Sequence, residues 1–289
     1  MYDILINPIS GKGKSLAALE KVERILKGRN IPYTVHKTEY KGHAGEIVAK
    51  LNAEGGHEVI VMGGDGAFNE ALNGVTDFSN IVLGFIPCGT GNDYVKATHI
   101  PSNVEGALEF ILNGKIGYTD FIQLDEKRAL NTAGAGMDVD ILVRYSTMKA
   151  FSGKMKYYAS LIDTVLHLKR HKMIMELDGV STEKTVFIAS VSNGRYIGGG
   201  MPISPLSDVN DGLFDVVIVN DVKSRKIPGL LLKFLRGKHI EEDCTEHFRC
   251  KEISFTLLDD GKTQVDGEVF ENKVLHCVLV HDTLRTYVD

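Results

Sequence analysis

The stretch V-I-V-M-G-G-D-G, residues 59 to 66, decides the fold. Its four apolar residues are typical of a buried strand, its glycines are typical of a tight turn, and residues 67–73 have helical composition. A strand that ends in a glycine turn before a helix presents free backbone N–H groups and the positive end of a helix dipole. The stretch therefore predicts either a phosphate-binding loop or an ordinary tight turn, and these residues alone leave both readings open.

The residues around this stretch extend the pattern over roughly the first 120 positions. Short apolar runs alternate with helical spacing, which predicts an α/β unit with a parallel sheet and helices on both faces. The expected strands are Ile4 to Ile6, Tyr33 to Val35, Val59 to Met62 and Ile81 to Ile86. Helices are expected at 15–27, around 47–51, and after a capping box formed by Ser102 and Glu105.

The second half of the chain has a different texture. Strand-like runs are expected at 185–191, 214–219, 252–257 and 274–280, and one helical segment at 154–170. This half therefore predicts a mainly β unit. The expected domains are residues 1–120 with 283–289 returning, and residues 121–282.

The composition excludes several classes of protein. A formal net charge of -5 argues against a nucleic-acid-binding protein, and the four cysteines have neither disulfide-framework nor zinc-site spacing. No apolar run approaches the length of a membrane-spanning helix, and the first residues lack the pattern of a signal peptide. We therefore expect a cytoplasmic protein whose contact with a membrane, if any, is peripheral.

A second glycine-rich turn also follows a predicted strand. Pro87 ends the strand at 81–86, and Gly89, Thr90, Gly91, Asn92 and Asp93 follow. Helix capping would suit Asn92 and Asp93 equally well. The run S-G-K-G-K-S at 10–15 is not a Walker A loop, because Pro8 stands where that motif needs glycine; Lys12 or Lys14 could still assist phosphate binding.

Taken together, these loops resemble the diacylglycerol kinase catalytic family, in its soluble bacterial branch, which is related to sphingosine kinases and distantly to NAD kinases. The motifs that carry the resemblance fall in order along the chain. They are Asn7, Pro8, Ser10 and Gly11; Gly63 to Gly66 with Asn69 and Glu70; Gly89 to Asp93; Asn131, Gly134 and Gly136; Asn193, Gly194 and Gly198 to Gly200; Asp211 to Leu213; and Asp266 to Glu268.

The resemblance implies an ATP-dependent, magnesium-dependent kinase that phosphorylates the hydroxyl of diacylglycerol or a related lipid alcohol. It implies an NAD kinase-like α/β domain, a C-terminal β-sandwich, and an active site in the cleft between them. By motif position, the nucleotide contacts are Asn7, Thr38, Gly63, Gly64, Asp65, Gly66, Asn69, Glu70, Thr90, Asn92 and Asp93.

The catalytic and metal sites are likewise implied by the resemblance. Glu268 corresponds to the general base. Asp65 is an acid on a loop that otherwise suits anions, so its chemistry predicts that it orders the water shell of a metal that stands between it and phosphate. Magnesium is expected at Asp208, Asp211 and Leu213, the first and last through backbone carbonyls. From the residues alone, Asp208 and Asp211 read as turn residues, and Asp266 with Gly267 as a hairpin turn. Ala67 stands where the family commonly has threonine.

A lipid substrate requires a way onto the bilayer. Residues 222–239 carry six lysines and arginines around apolar residues and no acid, which is typical of a segment that lies on an anionic membrane. An ordinary helix that packs its leucines on the β unit is the equal alternative. Residues 149–172 are a weaker candidate. We expect peripheral association with the inner face of the membrane.

Two other functions remain open at this point. An NAD kinase-type phosphotransferase shares the glycine and aspartate loop, but residues 89–93 and the basic segment fit a lipid kinase better. A non-catalytic protein that senses nucleotides or lipids gains weight from Ala67 and loses it from Asp65, Asp211 and Glu268. No motif fixes the oligomeric state, and a homodimer is allowed for.

Overall fold

The computed structural model describes residues 1–151 and 153–289, without the side chains of Lys12, Gly153 and Lys154. The chain divides into two compact units. The first comprises residues 1–121 and 280–289, and the second residues 122–279. The suggested role of Lys12 in phosphate binding lies outside the described side chains.

The first unit is an α/β unit built on parallel strands. Its strands are β1 (Tyr2–Ile6), β2 (Tyr33–Lys37), β3 (His57–Gly63) and β4 (Ile81–Pro87), and its helices are α1 (Lys14–Gly28), α2 (His43–Glu54), α3 (Asp65–Gly74), α4 (Asp93–Lys96) and α5 (Val104–Asn113). Strand β1 pairs in parallel with β2 and β3, and β3 with β4. All four predicted strands are confirmed, each extended by one to three residues.

Helices cover both faces of this sheet, as predicted. Alternate strand residues such as Ile60 and Met62 form one core with α1 and α5. Strand residues in between, such as Val61, are also fully buried, and α2 and α3 pack on β3. Burial on both faces explains why each strand is a continuous apolar run instead of an alternating one.

The capping box predicted before α5 is wrong by one residue. Asn103 is the N-cap, and its side-chain oxygen accepts a hydrogen bond from Gly106 N at 2.7 Å. Asparagine caps a helix at least as well as serine does, so Ser102 is not needed. Glu105, which the capping box would have used, instead pairs with Lys21 of α1 at 2.8 Å.

The second unit is mainly β and sandwich-like, as predicted, and its strands pair antiparallel. Its elements are β5 (Lys115–Leu124, shared with the first unit), β6 (Lys127–Ala129), β7 (Thr132–Gly136), α6 (Met137–Thr147), α7 (Gly153–Leu166), β8 (His171–Leu177), β9 (Val180–Ser192), β10 (Phe214–Asn220), α8 (Ile227–Phe234), β11 (Thr245–Cys250), β12 (Glu252–Leu257), β13 (Thr263–Val265), β14 (Glu268–Phe270) and β15 (Val274–Val288). The last strand ends in the first unit, where Thr286 pairs in parallel with Leu83 of β4.

Two apolar layers hold the second unit together. One lies within the sandwich, where inward residues such as Phe214 and Phe255 are fully buried. The other lies between β9 and β10 and the helices α6, α7 and α8. The expectation of a single helical segment is therefore wrong, because α6 was missed and α8 forms within residues 222–239. Helix α7 also ends at Leu166, because β8 begins at His171.

The alternative reading of α8 as a packing helix is confirmed in part. Ile227, Leu230, Leu231 and Phe234 pack on the sheet at helical spacing. Leu232 and Leu235 are 56% and 41% exposed. Along the described chain, no helix combines the length and the apolar character needed to cross a bilayer. The four cysteines are free thiols, and all except the half-buried Cys244 are buried.

Candidate active site

Several of the predicted nucleotide-binding residues of the first unit lie at the carboxyl ends of the parallel strands. Asn7 N donates a hydrogen bond to Met62 O at 3.2 Å, which places the end of β1 beside the end of β3. Thr38 N donates to Ile6 O at 2.9 Å on the other side of β1. In an open α/β sheet this edge is where ligands bind. Asn7, Thr38 and Gly63 therefore lie along one sheet edge.

The glycine turn after β3 and the turn after β4 are in direct backbone contact. Gly63 O accepts hydrogen bonds from Cys88 N at 2.6 Å and from Gly89 N at 3.1 Å. A Cβ atom added to Gly89 would lie 2.5 Å from Gly64 Cα, and one added to Gly64 would lie 3.0 Å from Gly89 Cα. Any side chain at either position would separate the two turns, so their close approach requires glycine.

Gly66 differs from the other glycines of its loop. An added Cβ at Gly63 would meet Ala67 Cβ at 2.5 Å, whereas one at Gly66 would meet no protein atom within 4 Å. Gly66 also lacks the positive φ that favours glycine. Packing within the chain explains Gly63 and Gly64 but not Gly66. A ligand that approaches the N-terminus of α3 would explain it.

Asp65 connects the two turns. Its Oδ1 accepts a hydrogen bond at 3.0 Å from Tyr94 N, in the first turn of α4. A carboxylate on the N-terminal amides of a helix is favoured by the helix dipole. Sequence reasoning assigned Asp65 to the water shell of a metal, and it missed this second role in holding α4 in place.

The turn after β4 is closed by its own polar residues. Asn92 has a φ of 52°, and its side chain both accepts from Gly89 N at 3.0 Å and donates to Gly89 O at 3.1 Å. Asp93 is buried and pairs with Lys96 at 2.9 Å. Thr90, at the tip, is exposed. The structure thus gives Asn92 and Asp93 local roles, and it leaves Thr90 accessible to a ligand.

Asn69 and Glu70 lie further along α3, away from its N-terminus. Glu70 Oε2 accepts a hydrogen bond from Ala44 N at 3.3 Å, in the first turn of α2. Asn69 O accepts from Asn73 Nδ2 at 2.9 Å. Glu70 therefore joins α2 to α3, a contact that the sequence did not predict.

Glu268 follows a two-residue hairpin turn in the second unit. Asp266 and Gly267 have φ values of 45° and 84°, and Val265 pairs with Glu268 across the turn. Positive φ at both turn positions is the geometry that Asp-Gly sequences favour. The hairpin reading of these residues is confirmed, and it fixes Glu268 as the first residue of β14.

Asp266 anchors this turn to the start of β7. Its carboxylate accepts hydrogen bonds from the backbone N–H groups of Leu130, Asn131 and Thr132 at 2.8, 3.0 and 2.9 Å. Three amide donors on one carboxylate make a rigid, charge-assisted contact. This contact brings the Asp-Gly-Glu motif and the Asn131 motif, far apart in sequence, together in the fold.

Gln264 and Asp138 complete the support of the turn, and sequence reasoning missed both. Gly267 N donates to Gln264 Oε1 at 2.9 Å, and Gln264 Nε2 donates to Asp138 Oδ2 at 3.1 Å. Both side chains are buried. Burial raises the pKa of the Asp138 carboxyl to about 6, although the hydrogen bonds that it accepts act in the opposite direction. No sequence signal marked either residue, because both are isolated polar residues at buried positions.

The predicted magnesium ligands lie together on the loop before β10. Asp208 Oδ1 accepts from Asn210 N, and Asp211 Oδ1 accepts from Leu213 N, both at 3.1 Å. The other carboxylate oxygen of Asp211 is paired with the Arg249 guanidinium. Among the described residues, no group of three or more His, Cys, Asp or Glu side chains is arranged to hold a metal. Magnesium at Asp211 would therefore have to compete with Arg249.

Gly66 allows the two readings of its loop to be distinguished. We expect Gly66→Ala to weaken ATP binding by roughly tenfold or more, because the added methyl group occupies space left open for phosphate, and to leave thermal stability without nucleotide unchanged or slightly higher. Gly28→Ala, also free of clashes, is the control. Gly89→Ala should instead lower stability. Unchanged ATP affinity in Gly66→Ala, measured by calorimetry, would favour the tight-turn reading.

Asp138 should make stability depend on pH. Its folded-state pKa, about 6, lies above its ordinary value, so the stabilisation from its protonated form is complete below about pH 4 and is lost as the pH rises through 6. We expect Asp138→Asn to be more stable than the wild type by about 1–3 kcal/mol at pH 8 and equal to it near pH 4. Denaturant unfolding at both pH values tests this, with the exposed Asp125→Asn as control. A difference independent of pH would contradict it.

Comparison with known proteins identifies the family and the fold of the chain. The diacylglycerol kinase catalytic domain family matches residues 2–124, and the YegS C-terminal NAD kinase beta sandwich-like domain family matches residues 131–285. The chain is 26% identical to a diacylglycerol kinase of Bacillus subtilis (strain 168), over 92% of this chain and 88% of that protein. A diacylglycerol kinase of Staphylococcus aureus (strain bovine RF122 / ET3-1) is 28% identical, over 92% and 85%.

Solved structures share the fold. A diacylglycerol kinase from Bacillus anthracis str. Sterne superposes with a TM-score of 0.75 at 20% identity, covering 100% of this chain and 96% of that one. An NAD kinase from Archaeoglobus fulgidus in complex with ATP gives a TM-score of 0.54 at 12% identity, covering 100% and 94%. The resemblance read from the motifs is thereby confirmed. The chain belongs to the kinase family that joins a diacylglycerol kinase catalytic domain to a YegS-type NAD kinase-like β-sandwich domain.

Proposed function

We propose that this protein is an ATP-dependent lipid kinase that transfers the γ-phosphoryl group to the hydroxyl of diacylglycerol or a related lipid alcohol. The observation that carries the proposal is the paired glycine turn at the sheet edge, with Gly66 left open at the N-terminus of α3. Phosphoryl transfer depends mainly on positioned phosphates and stabilised charge, which such a loop can supply. The family of the chain supports the lipid as acceptor.

In this proposal, the first unit binds the nucleotide. The amides at the start of α3 and the turn at residues 89–93 hold the phosphates, and Asn7, Thr38 and Thr90 contact the rest of the nucleotide. Free N–H groups at a helix N-terminus, together with the helix dipole, attract phosphate oxygens. Asp65 would mainly hold the two glycine turns in position and would contribute less to phosphate binding, since its Oδ1 already accepts a hydrogen bond from α4.

Glu268 is the general base of the proposed reaction. It takes the proton from the lipid hydroxyl as the oxygen attacks the γ-phosphorus, and the bond to the β-phosphate oxygen breaks to release ADP and a phosphorylated lipid. A base of this kind contributes only if it is held within hydrogen-bonding reach of the hydroxyl. The contacts of Asp266 and Gln264 hold the turn that presents Glu268.

Magnesium is proposed as the second cofactor. Bound magnesium neutralises the charge of the phosphates during transfer. It prefers oxygen ligands, so the Asp211 carboxylate and the carbonyls of Asp208 and Leu213 are suitable in chemistry. The Arg249 guanidinium already pairs with the Asp211 carboxylate, so magnesium would have to displace Arg249 or share this carboxylate with it.

The NAD kinase alternative has less support. The NAD kinase neighbour shows a common fold, and its low identity gives no information on the acceptor. The phosphate loop would serve either acceptor, so the nucleotide site does not discriminate between them. The family match of residues 2–124 and the basic segment at 222–239 both favour a lipid. We propose that the protein works at the inner face of the membrane, where ATP is available.

The acceptor and the base can be tested together. Labelled ATP is incubated with diacylglycerol, sphingoid bases, ceramide-like lipids, phosphatidylglycerol, polyprenols and NAD. We expect a phosphorylated lipid from the wild type. Glu268→Gln should reduce kcat by roughly 10²- to 10⁴-fold without loss of ATP binding, because it removes the proton acceptor. The control is Glu271→Gln, nearby and exposed. Phosphorylation of NAD alone would contradict the proposal, and full activity of Glu268→Gln would remove it as the base.

The magnesium site has its own test. If the loop at 208–213 binds magnesium, Arg249→Gln should increase the rise in melting temperature caused by MgCl2, because it frees an oxygen of Asp211 and removes a positive charge. Arg249→Lys, which retains the charge, is the matched control. Asp211→Asn should abolish the rise. An equal rise in all four proteins, measured by scanning calorimetry, would mean that magnesium binds elsewhere.

A further inference from the structure

A buried histidine in the second unit lies between two carboxylates. His171, at the start of β8, is 5% exposed, and its Nε2 lies 3.0 Å from Asp140 Oδ2 of α6. Its Nδ1 lies 3.4 Å from Asp259 Oδ2, in the loop between β12 and β13. Neither the sequence motifs nor the proposed phosphoryl transfer accounts for this cluster.

The arrangement of these three side chains suits a charged imidazolium. A neutral imidazole has one N–H group and one lone pair, so it can donate to only one of the two carboxylates. Its other nitrogen would then face a second acceptor, which is unfavourable. Burial lowers the pKa of His171, but the contact with Asp140 and the charges of Asp259 and Asp138 outweigh it, so the pKa is raised above its ordinary value.

An open cavity of about 260 Å³ lies beside the cluster, which is room for several water molecules. The other charged residues that line it are Lys169, Arg170, Asp260 and Lys262. Three of these already pair with a residue outside the cavity, as Arg170 does with Asp221. Solvent in the cavity reaches Asp140 and Asp259, whose side chains are 22% and 32% exposed, so His171 can exchange its proton through them.

The two carboxylates belong to the two elements that support the turn of Glu268. Asp138, two residues before Asp140 on α6, holds Gln264, whose side chain supports the turn. Asp259 lies at the start of the loop that leads into β13, the strand that contains Gln264. His171 therefore joins the helix and the loop that together fix the position of Gln264.

The loop at residues 259–262 is folded closely around the cluster. Asp259 accepts hydrogen bonds from Lys172 N at 3.2 Å and from Gly261 N at 2.9 Å. A Cβ atom added to Gly261 would lie 2.7 Å from Asp259 Oδ1 and 3.2 Å from His171 Nδ1. The loop backbone thus passes close to the ring, so a change in the charge of the ring acts directly on the loop.

We propose that His171 is a positioning residue for Glu268, which in its charged form ties α6 to the 259–262 loop and so holds the hairpin of β13 and β14 in place. The inference rests on the proposed function, in which Glu268 is the base. The tie is complete below about pH 6.5, the ordinary pKa of histidine, and is lost as the pH rises through the raised pKa of His171 in the folded protein. The hairpin then loosens and the reaction slows, since a displacement of about 1 Å can cost about 100-fold in rate.

Hydrogen–deuterium exchange of the whole protein tests the positioning without requiring catalysis. The amide of Gly267 donates to Gln264 and reports on the turn. We expect this amide to exchange roughly fivefold faster in His171→Gln than in the wild type near pH 6.5, because glutamine cannot carry the charge that ties the two supports. Near pH 9, where the ring of the wild type is neutral, the two proteins should differ less.

Two further variants accompany this measurement. His167→Gln is the matched control, because it makes the same change at an exposed imidazole that pairs with Asp163 on α7, and it should leave the exchange of Gly267 unchanged. Asp259→Asn leaves His171 in place and removes the charge on the loop side of the ring, so it should also speed up the exchange of Gly267. Unchanged exchange in both His171→Gln and Asp259→Asn would overturn the proposal.

A double-mutant cycle on kcat shows whether His171 acts through Glu268. Near pH 6.5, His171→Gln should lower kcat roughly tenfold without a change in the KM for ATP, and it should cost little more in a Glu268→Gln background. The kcat of the wild type should fall as the pH rises above neutrality, and this fall should be absent from His171→Gln. An equal loss in both backgrounds would make His171 a structural residue only and overturn the proposal.

The two measurements separate this inference from the proposed function. Lack of lipid phosphorylation by the wild type, with faster exchange of Gly267 in His171→Gln, would count against the function and leave the tie to the hairpin in place. Normal lipid phosphorylation by His171→Gln, with unchanged exchange, would count against this inference alone.

Discussion

The close approach of two glycine turns at the edge of the parallel sheet constrains the whole first unit. Gly63 O accepts from both Cys88 N and Gly89 N, and Gly64 and Gly89 leave no room for a side chain between them. Because both turns follow adjacent strands, their contact fixes where α3 and α4 begin. Asp65 then ties the start of α4 to the start of α3. The N-terminus of α3 is open to a ligand as a consequence of this packing.

In the second unit, side chains hold the turn that positions Glu268. A two-residue turn is too short to position Glu268 alone, so Asp266 binds three successive amides and Gln264 holds the amide of Gly267. Asp138 holds Gln264 in turn. Removing the contacts of Asp266 or Gln264 would leave buried polar groups unsatisfied, whereas Asp138→Asn keeps an acceptor for Gln264. Some motif residues, such as Asp266, therefore hold the turn in place and need not contact a ligand themselves.

Sequence patterns predicted the first unit well because its buried strands and glycine turns are strong local signals. They failed for α6, since Met137, Val139 and Ile141 alternate with Asp138 and Asp140 and so imitate a strand. The contacts of Asp65, Glu70 and Asp138 could not be predicted either. Each joins elements that only the tertiary fold brings together. Asp266 was interpreted as a turn residue, which is correct, but its contacts with three backbone amides could not be seen in the sequence.

The central claim is that the two glycine turns hold the phosphates of a nucleotide. Hydrogen–deuterium exchange of the whole protein, with and without a non-hydrolysable ATP analogue and magnesium, tests it most directly. The account predicts slower exchange at the amides of residues 64–66 and 90–92 when the analogue is bound, because those N–H groups would donate to phosphate oxygens. The amides of Ala67, Phe68 and Gly89 already donate within the chain and should change less. Binding of the analogue with unchanged exchange in both turns would contradict it.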